Sequence, residues 1–494
     1  MSELQVITTH GRVQGRARRG VELYAGLPYA APPIGERRFR PPEPMAAWEG
    51  TRDATRFSPA APQRPGDGLT NAVEIPWDEV GCLTLNITTP GADGAGRAVL
   101  VWIHGGDFKN GTGATPWYDG SNFAGNGDIV VVSINYRLGA FGFTAVDHLH
   151  EDEPGGSGLV GLLDQVAALE WVRDNIAAFG GDPSRVTIAG ESAGAFSVAT
   201  LLAMSEASGL FQQAILQSGS AHAVQSGEQA RAVTDLMLEM ADLQSVSDLR
   251  RLHPDGVLDA QEAVAESAPR RLGLDLSPFY PSTGSTVLPE RPIDAIAAGA
   301  SADIPVLLGT NGDEATLWGL GAAVDEDRLA DWAGRFHPDA GALVDAYRVA
   351  RPGARAGDLA VAIYTDWMFR VPSVRLAEAR GLAPTWMYHF DWKSRAFDGA
   401  LGATHALEIP FVFDNLDRAG VDAFIGPGPS PQHVADAMHR AWTAFTRDGD
   451  PTSGGGPSWP AYRPDDRQVM EFADASALLS APGAAELDAW AGVR

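Results

Sequence analysis

Two short runs, Ala98–Ile103 (AVLVWI) and Ile129–Ile134 (IVVVSI), are apolar at nearly every position and rich in β-branched residues. A strand with one wet face alternates apolar and polar, so unbroken runs of this length fit strands buried on both faces. Arg185–Ala189, Ala214–Leu216 and Ile304–Leu308 have the same character. Between the runs the period changes. Leu162, Val166, Leu169, Val172 and Ile176 recur at spacings of four, three, three and four, which gathers them into one stripe along a helix. Strands alternating with helices predict an α/β fold with a mostly parallel central sheet and helices on both faces. Two stretches, roughly 221–302 and 315–383, have helical patterning without comparable strand runs. They are expected to be helical insertions over the sheet, and with no linker or internal repeat in view residues 1–494 are expected to form a single domain.

Composition adds core material and a sign of charge. With 494 residues, 45% of them hydrophobic, and 13 Trp and 19 Phe, the chain can bury a large core. Its 37 Lys and Arg face 63 Asp and Glu, a formal net charge of −26. A field of that sign repels phosphate backbones and anionic lipid, which argues against nucleic-acid and membrane partners and favours approach by neutral or cationic small molecules. No uninterrupted apolar stretch has the length of a membrane helix. The first twenty residues carry Arg12, Arg16, Arg18 and Arg19 where a signal peptide would have an apolar centre. Cys82 is the single cysteine, so no intrachain disulfide can form, and the expectation is a cytoplasmic protein with Cys82 as a buried apolar filler.

The candidate chemistry centres on Gly190-Glu191-Ser192-Ala193-Gly194, which fits the G-x-S-x-G nucleophile elbow. The pentapeptide alone recurs by chance in a chain with 56 Gly, so its setting decides its worth. It follows the strand candidate Arg185–Ala189 and precedes a helix-like run, Ala195–Met204, the strand–turn–helix context the motif requires. A serine hydroxyl is a weak nucleophile at neutral pH and needs a base with an orienting acid. In this kind of fold these follow the serine in the order acid, then histidine. Seven histidines lie downstream, from His222 to His439, and order and spacing do not choose among them.

Further blocks identify a resemblance. FGGDPSRVTIAGESAG (Phe179–Gly194), GLPYAAPPIGERRFRPP (Gly26–Pro42), CLTLNITTP (Cys82–Pro90), WIHGGDF (Trp102–Phe108) and NYRLGAFGF (Asn135–Phe143) lead a series that continues through GLLDQ, ILQSGS, GTNGDEA, THALEIPFVF and SWPAY (Ser458–Tyr462). Over most of its length the chain resembles the type-B carboxylesterases, which include para-nitrobenzyl esterases and cholinesterases. The resemblance implies an α/β-hydrolase that cleaves carboxylic esters through an acyl-enzyme, with no cofactor and no metal. Carried over by position, it makes Ser192 the nucleophile, Glu314 the acid and His405 the base, with Asp313 the rival acid. It assigns the oxyanion hole to the backbone N–H groups of Gly106, Asp107 and Ala193, and gives Ser218 the role of hydrogen-bonding the acid.

The chain also departs from the pattern. Asp107 stands where the family usually has Gly or Ala, and a carboxylate beside a developing oxyanion opposes catalysis unless it turns away to a positive or donor partner, which is the expected outcome. Ala315 replaces a usual Gly after the acid. The cysteine that pairs with the Cys82 position in secreted relatives falls on Ala61, so that loop has no staple. Phe108, Trp117, Tyr118, Trp318, Tyr364, Trp367 and Phe411 are candidates both for the substrate pocket and for core. The functional expectation is hydrolysis of small, largely neutral carboxylic esters. The alternatives are an acyltransferase, amidase or carbamate hydrolase on the same site, or a non-catalytic interaction protein.

Overall fold

A computed structural model describes residues 4–65, 76–149, 156–274 and 276–493. The chain forms two compact units, one of Met1–Ile215 with Ala221–Ser301, the other of Leu216–Ser220 with Ala302–Arg494.

In the first unit the strand Arg97–Ile103 lies at the centre, and all of Ala98–Ile103 is buried. It pairs in parallel with Val130–Ile134 on one side and Gly181–Glu191 on the other. Beyond Val130–Ile134 the sheet continues antiparallel through Thr84–Thr89, Val21–Pro28 and Arg16–Arg18. A separate three-stranded sheet joins Gln5–Thr8, Gly11–Gln14 and Thr51–Asp53. The helix Val160–Asn175 buries Leu162, Val166, Leu169 and Val172, as their spacing requires, and Ile176 opens the 3-10 turn after it. The same helix buries Asp164, which accepts from Arg137 at 2.7 Å in an ion pair closed to solvent. Cys82 is fully buried and free, and burial pushes its thiol far above the usual range. Among the described residues the helices Gly227–Met240, Val246–Arg251, Pro254–Arg271 and Pro292–Ala297 fall between 221 and 302.

In the second unit Val306–Asn311, Thr385–Phe390 and Gln468–Phe472 run parallel, and Ala477–Ser480 closes the row antiparallel. The first of these starts two residues later than the apolar run Ile304–Leu308 suggests. Pro305 has no N–H to give the ladder, and the first ladder donor is the N–H of Val306, bonded to Pro384 O at 2.9 Å. Thr385–Phe390 (TWMYHF) escaped the sequence reading because Thr385 and His389 leave only Trp386, Met387 and Tyr388 as an apolar run. The helix Ala356–Thr365 passes through a π-type turn, Asp366–Arg370, into Val371–Ala379. Among the described residues no helix is long and apolar enough to cross a membrane.

Candidate active site

The strand Gly181–Glu191 ends in a turn at Ser192 and the helix Ala193–Leu201 begins at once. Ser192 sits at φ 55°, ψ −123°, a region a side chain enters only where its surroundings force it. The close approach of strand and helix explains both glycines. A Cβ on Gly190 would fall 2.4 Å from the Gly194 carbonyl carbon, and one on Gly194 2.0 Å from Ile103 O. No larger residue fits without moving backbone. The turn lifts the serine off the end of the sheet and sets it at a helix N-terminus, whose first N–H groups have no partner within the helix.

The loop after Arg97–Ile103 runs against this turn. A Cβ on Gly105 would come within 2.7 Å of Glu191 O and 3.1 Å of Ser192 Cβ. The next three residues all have positive φ, 111° at Gly106, 56° at Asp107 and 57° at Phe108. The Gly106 carbonyl accepts from the N–H groups of Lys109 and Asn110, each at 3.0 Å. The N–H groups of Gly106 and Asp107 donate to no acceptor among the described residues. The Asp107 carboxylate is engaged elsewhere: Tyr280 donates its hydroxyl proton to Oδ1 at 2.6 Å and Lys109 Nζ lies 3.5 Å from Oδ2. His104, at the base of the loop, is buried, stacks on Tyr136 at 4.6 Å and bonds Gly105 O through Nδ1 at 2.8 Å. Burial holds its pKa down to about 4, so the ring is neutral at pH 7 and donates that bond.

In the second unit the strand Val306–Asn311 delivers the acid and the loop through Thr404 the imidazole. Glu314, fully buried, accepts from His405 Nδ1 at 2.6 Å through Oε2 and from Asn311 N–H at 2.8 Å through Oε1. Asp313 points to the main chain instead. Its Oδ2 accepts from Ala403 N–H at 2.8 Å and from Lys393 at 2.7 Å, while its own N–H donates to Ala403 O at 2.9 Å. Asp313 thus clasps the acid segment to the histidine segment, and Glu314 is the carboxylate that reaches the ring.

Ser218 does not hydrogen-bond the acid. It is buried, and its hydroxyl has no partner among the described residues; the Glu314 oxygens accept from Asn311 and His405 instead. Support comes from residues that the sequence reading missed. Asn311 donates through Nδ2 to Thr404 O at 2.8 Å and to Glu408 Oε2 at 2.6 Å. Gln217 donates to Glu408 Oε1 at 3.0 Å, and Trp442 donates to Gln217 at 2.9 Å. Burial, and then the charge of Glu314, raise the Glu408 pKa. Asn311 and Glu408 stand inside the blocks GTNGDEA and THALEIPFVF, the one signal that could have found them.

Of the aromatic candidates, Phe108, Trp117 and Phe411 are fully buried and belong to core. Trp318 is 54% exposed, yet its ring lies 5.1 Å from His405 and parallel to Phe369 at 6.1 Å.

Comparison with known proteins places this geometry. The model of the carboxylesterase family matches residues 2–331 and 343–490. The chain is 38% identical over 476 residues to para-nitrobenzyl esterase of Bacillus subtilis, covering 94% of each protein. It is also 38% identical to phenmedipham hydrolase of Pseudarthrobacter oxydans, covering 96% of each. The crystal structure of a carboxylesterase of Geobacillus stearothermophilus superposes with a TM-score of 0.88 at 39% identity, over 99% of this chain and 100% of that one. A serine on such a turn, within a chain matched nearly end to end by esterases, has one reading: this protein belongs to the carboxylesterase family, with the α/β-hydrolase fold, and hydrolyses carboxylic esters.

Proposed function

We propose that Ser192 is the nucleophile, His405 the base and Glu314 the orienting acid, acting on small, largely neutral esters. The Ser192 proton passes to His405 as Oγ bonds to the ester carbon. The tetrahedral intermediate collapses and the departing alkoxide takes that proton. Water, deprotonated by the same imidazole, then attacks the acyl-enzyme, releasing the acid and restoring the serine. Glu314 fixes the imidazole tautomer and stabilises the imidazolium. The N–H groups of Gly106, Asp107 and Ala193 receive the oxyanion, each typically worth about 2.7–4 kcal/mol in the transition state.

The observation that carries the reading is the strained backbone at Ser192, φ 55°, ψ −123°, against a loop whose Gly106 and Asp107 N–H groups have no acceptor among the described residues. The 2.6 Å bond from His405 to Glu314 supports the roles of base and acid. The capture of the Asp107 carboxylate by Tyr280 and Lys109 supports a hole whose donors act unopposed. The relatives named as esterases support small esters as substrates. The test is turnover of an ester panel, varying acyl and alcohol parts separately, by wild type and Ser192→Ala, with matched amides alongside. The reading expects ester cleavage that vanishes with the hydroxyl. Full ester turnover by Ser192→Ala sinks the triad, and amide turnover matching the esters sinks the substrate class.

A further inference from the structure

The strand Thr385–Phe390 carries His389 next to its end, and Asp391 follows two residues on. Residues two apart on a strand share a face. The parallel strand Gln468–Phe472 sets Glu471 opposite His389, so all three side chains stand on one face. Asp391 keeps that alignment by donating its N–H to Phe472 O at 2.8 Å. One ligand atom from each of His389, Asp391 and Glu471 lies within 4.8 Å of the others, and all three residues are half-buried. The ester chemistry uses none of them.

Charge at this spot is unbalanced. Lys393 sits 2.6 Å from Asp391 and 2.7 Å from Asp313. The Glu471 carboxylate accepts no hydrogen bond and makes no ion pair among the described residues. The Arg370 guanidinium also acts on His389 but is held by Asp366 and Glu486, so three carboxylates converge with the single ammonium of Lys393, a formal excess of two negative charges, which one divalent cation would cancel. We propose that His389, Asp391 and Glu471 form a binding site for a divalent transition metal of the zinc class. The donor set selects the metal: an imidazole nitrogen suits zinc and its neighbours, whereas calcium and magnesium take oxygen alone. Ligands on one tetrahedral zinc lie roughly 3.4 Å apart, so side-chain rotation brings the three into range without moving the strands. Of the three, His389 lines a pocket, together with Met387, Tyr462, Val469, Arg370 and Arg467, so a water ligand would enter from the imidazole side.

The test is calorimetric titration of the chelator-treated full chain with zinc chloride, and separately with calcium chloride. One saturable zinc equivalent is expected, weakened by at least about tenfold in both His389→Ala and Glu471→Gln, with no comparable calcium binding. His433, exposed beside Asp474 at 3.7 Å, controls for adventitious surface binding, and His433→Ala is expected to bind as wild type. Turnover of an aryl acetate by the metal-free variants checks that each has folded. Glu471→Gln, nearly isosteric, carries the test alone if His389→Ala does not fold, read both by zinc affinity and by the visible spectrum of bound Co²⁺. The proposal is overturned by the absence of saturable zinc binding, by equal binding in wild type and Glu471→Gln, or by loss of binding in His433→Ala alone.

Discussion

Asp313 and Glu314 are adjacent and chemically alike, and they differ in what they touch. Glu314 holds the imidazole, whereas Asp313 holds the main chain of Ala403 and the ammonium of Lys393. Glu314→Gln keeps the size and loses the charge that supports imidazolium; the equivalent change in a serine protease triad lowers kcat about 10⁴-fold, and a loss of that order is expected. Asp313→Ala removes a clasp, so its larger effect falls on stability, with a smaller loss of kcat. Saturation kinetics on both variants decide, and the reverse order of kcat losses would make Asp313 the acid. At His104 the pKa falls from 6.5 to about 4 on burial. Between those values the unfolded chain binds a proton that the folded one does not. The stability is therefore complete above pH 6.5 and drains away as pH falls toward 4, by up to roughly 3 kcal/mol. Urea unfolding across that range measures it, and His104→Asn is expected to flatten the slope; an unchanged slope contradicts the assignment.

Among the elements, the parallel strands with unbroken apolar runs were the easiest to read, whereas Thr385–Phe390, parallel and mostly buried too, was missed because Thr385 and His389 cut its run to three residues. The antiparallel flank was not readable that way. Thr84–Thr89 is buried throughout although four of its six residues are polar, and polar residues there are satisfied by neighbours, as when Asn86 accepts from Gly26 N–H at 3.0 Å. Such partners come from distant segments and leave no local period. The helix Val160–Asn175 shows both sides of this: its apolar stripe was legible, but the burial of Asp164 against Arg137 was not. Breaking a buried pair strands a charge and typically costs about 3–5 kcal/mol, so Asp164→Ala should be among the more destabilising single changes in the chain. Equilibrium denaturation tests it, and a loss below about 1 kcal/mol, the scale of a surface ion pair, would contradict the burial.

For the whole molecule, legibility follows the distance over which information must travel. Ser192 is readable because its strand, turn and helix are consecutive, whereas His405 was one of seven downstream histidines until the family resemblance singled it out. Asn311 and Glu408, which bond across 97 positions, could not be paired from spacing at all. The charge of −26 acts at the same scale. At ionic strengths that shorten screening to about 8–10 Å, kcat/KM for a cationic ester should fall, that for an anionic ester rise and that for a neutral ester hold. An identical salt response from all three would remove long-range steering from the account. The central claim, that the hydroxyl of Ser192 carries the acyl group, is tested most directly by mass spectrometry after inactivation with a diethylphosphoryl agent. One diethylphosphoryl group per chain, located on Ser192 and accumulating in step with loss of esterase activity, is the predicted result. Complete inactivation with the adduct on another residue would contradict it.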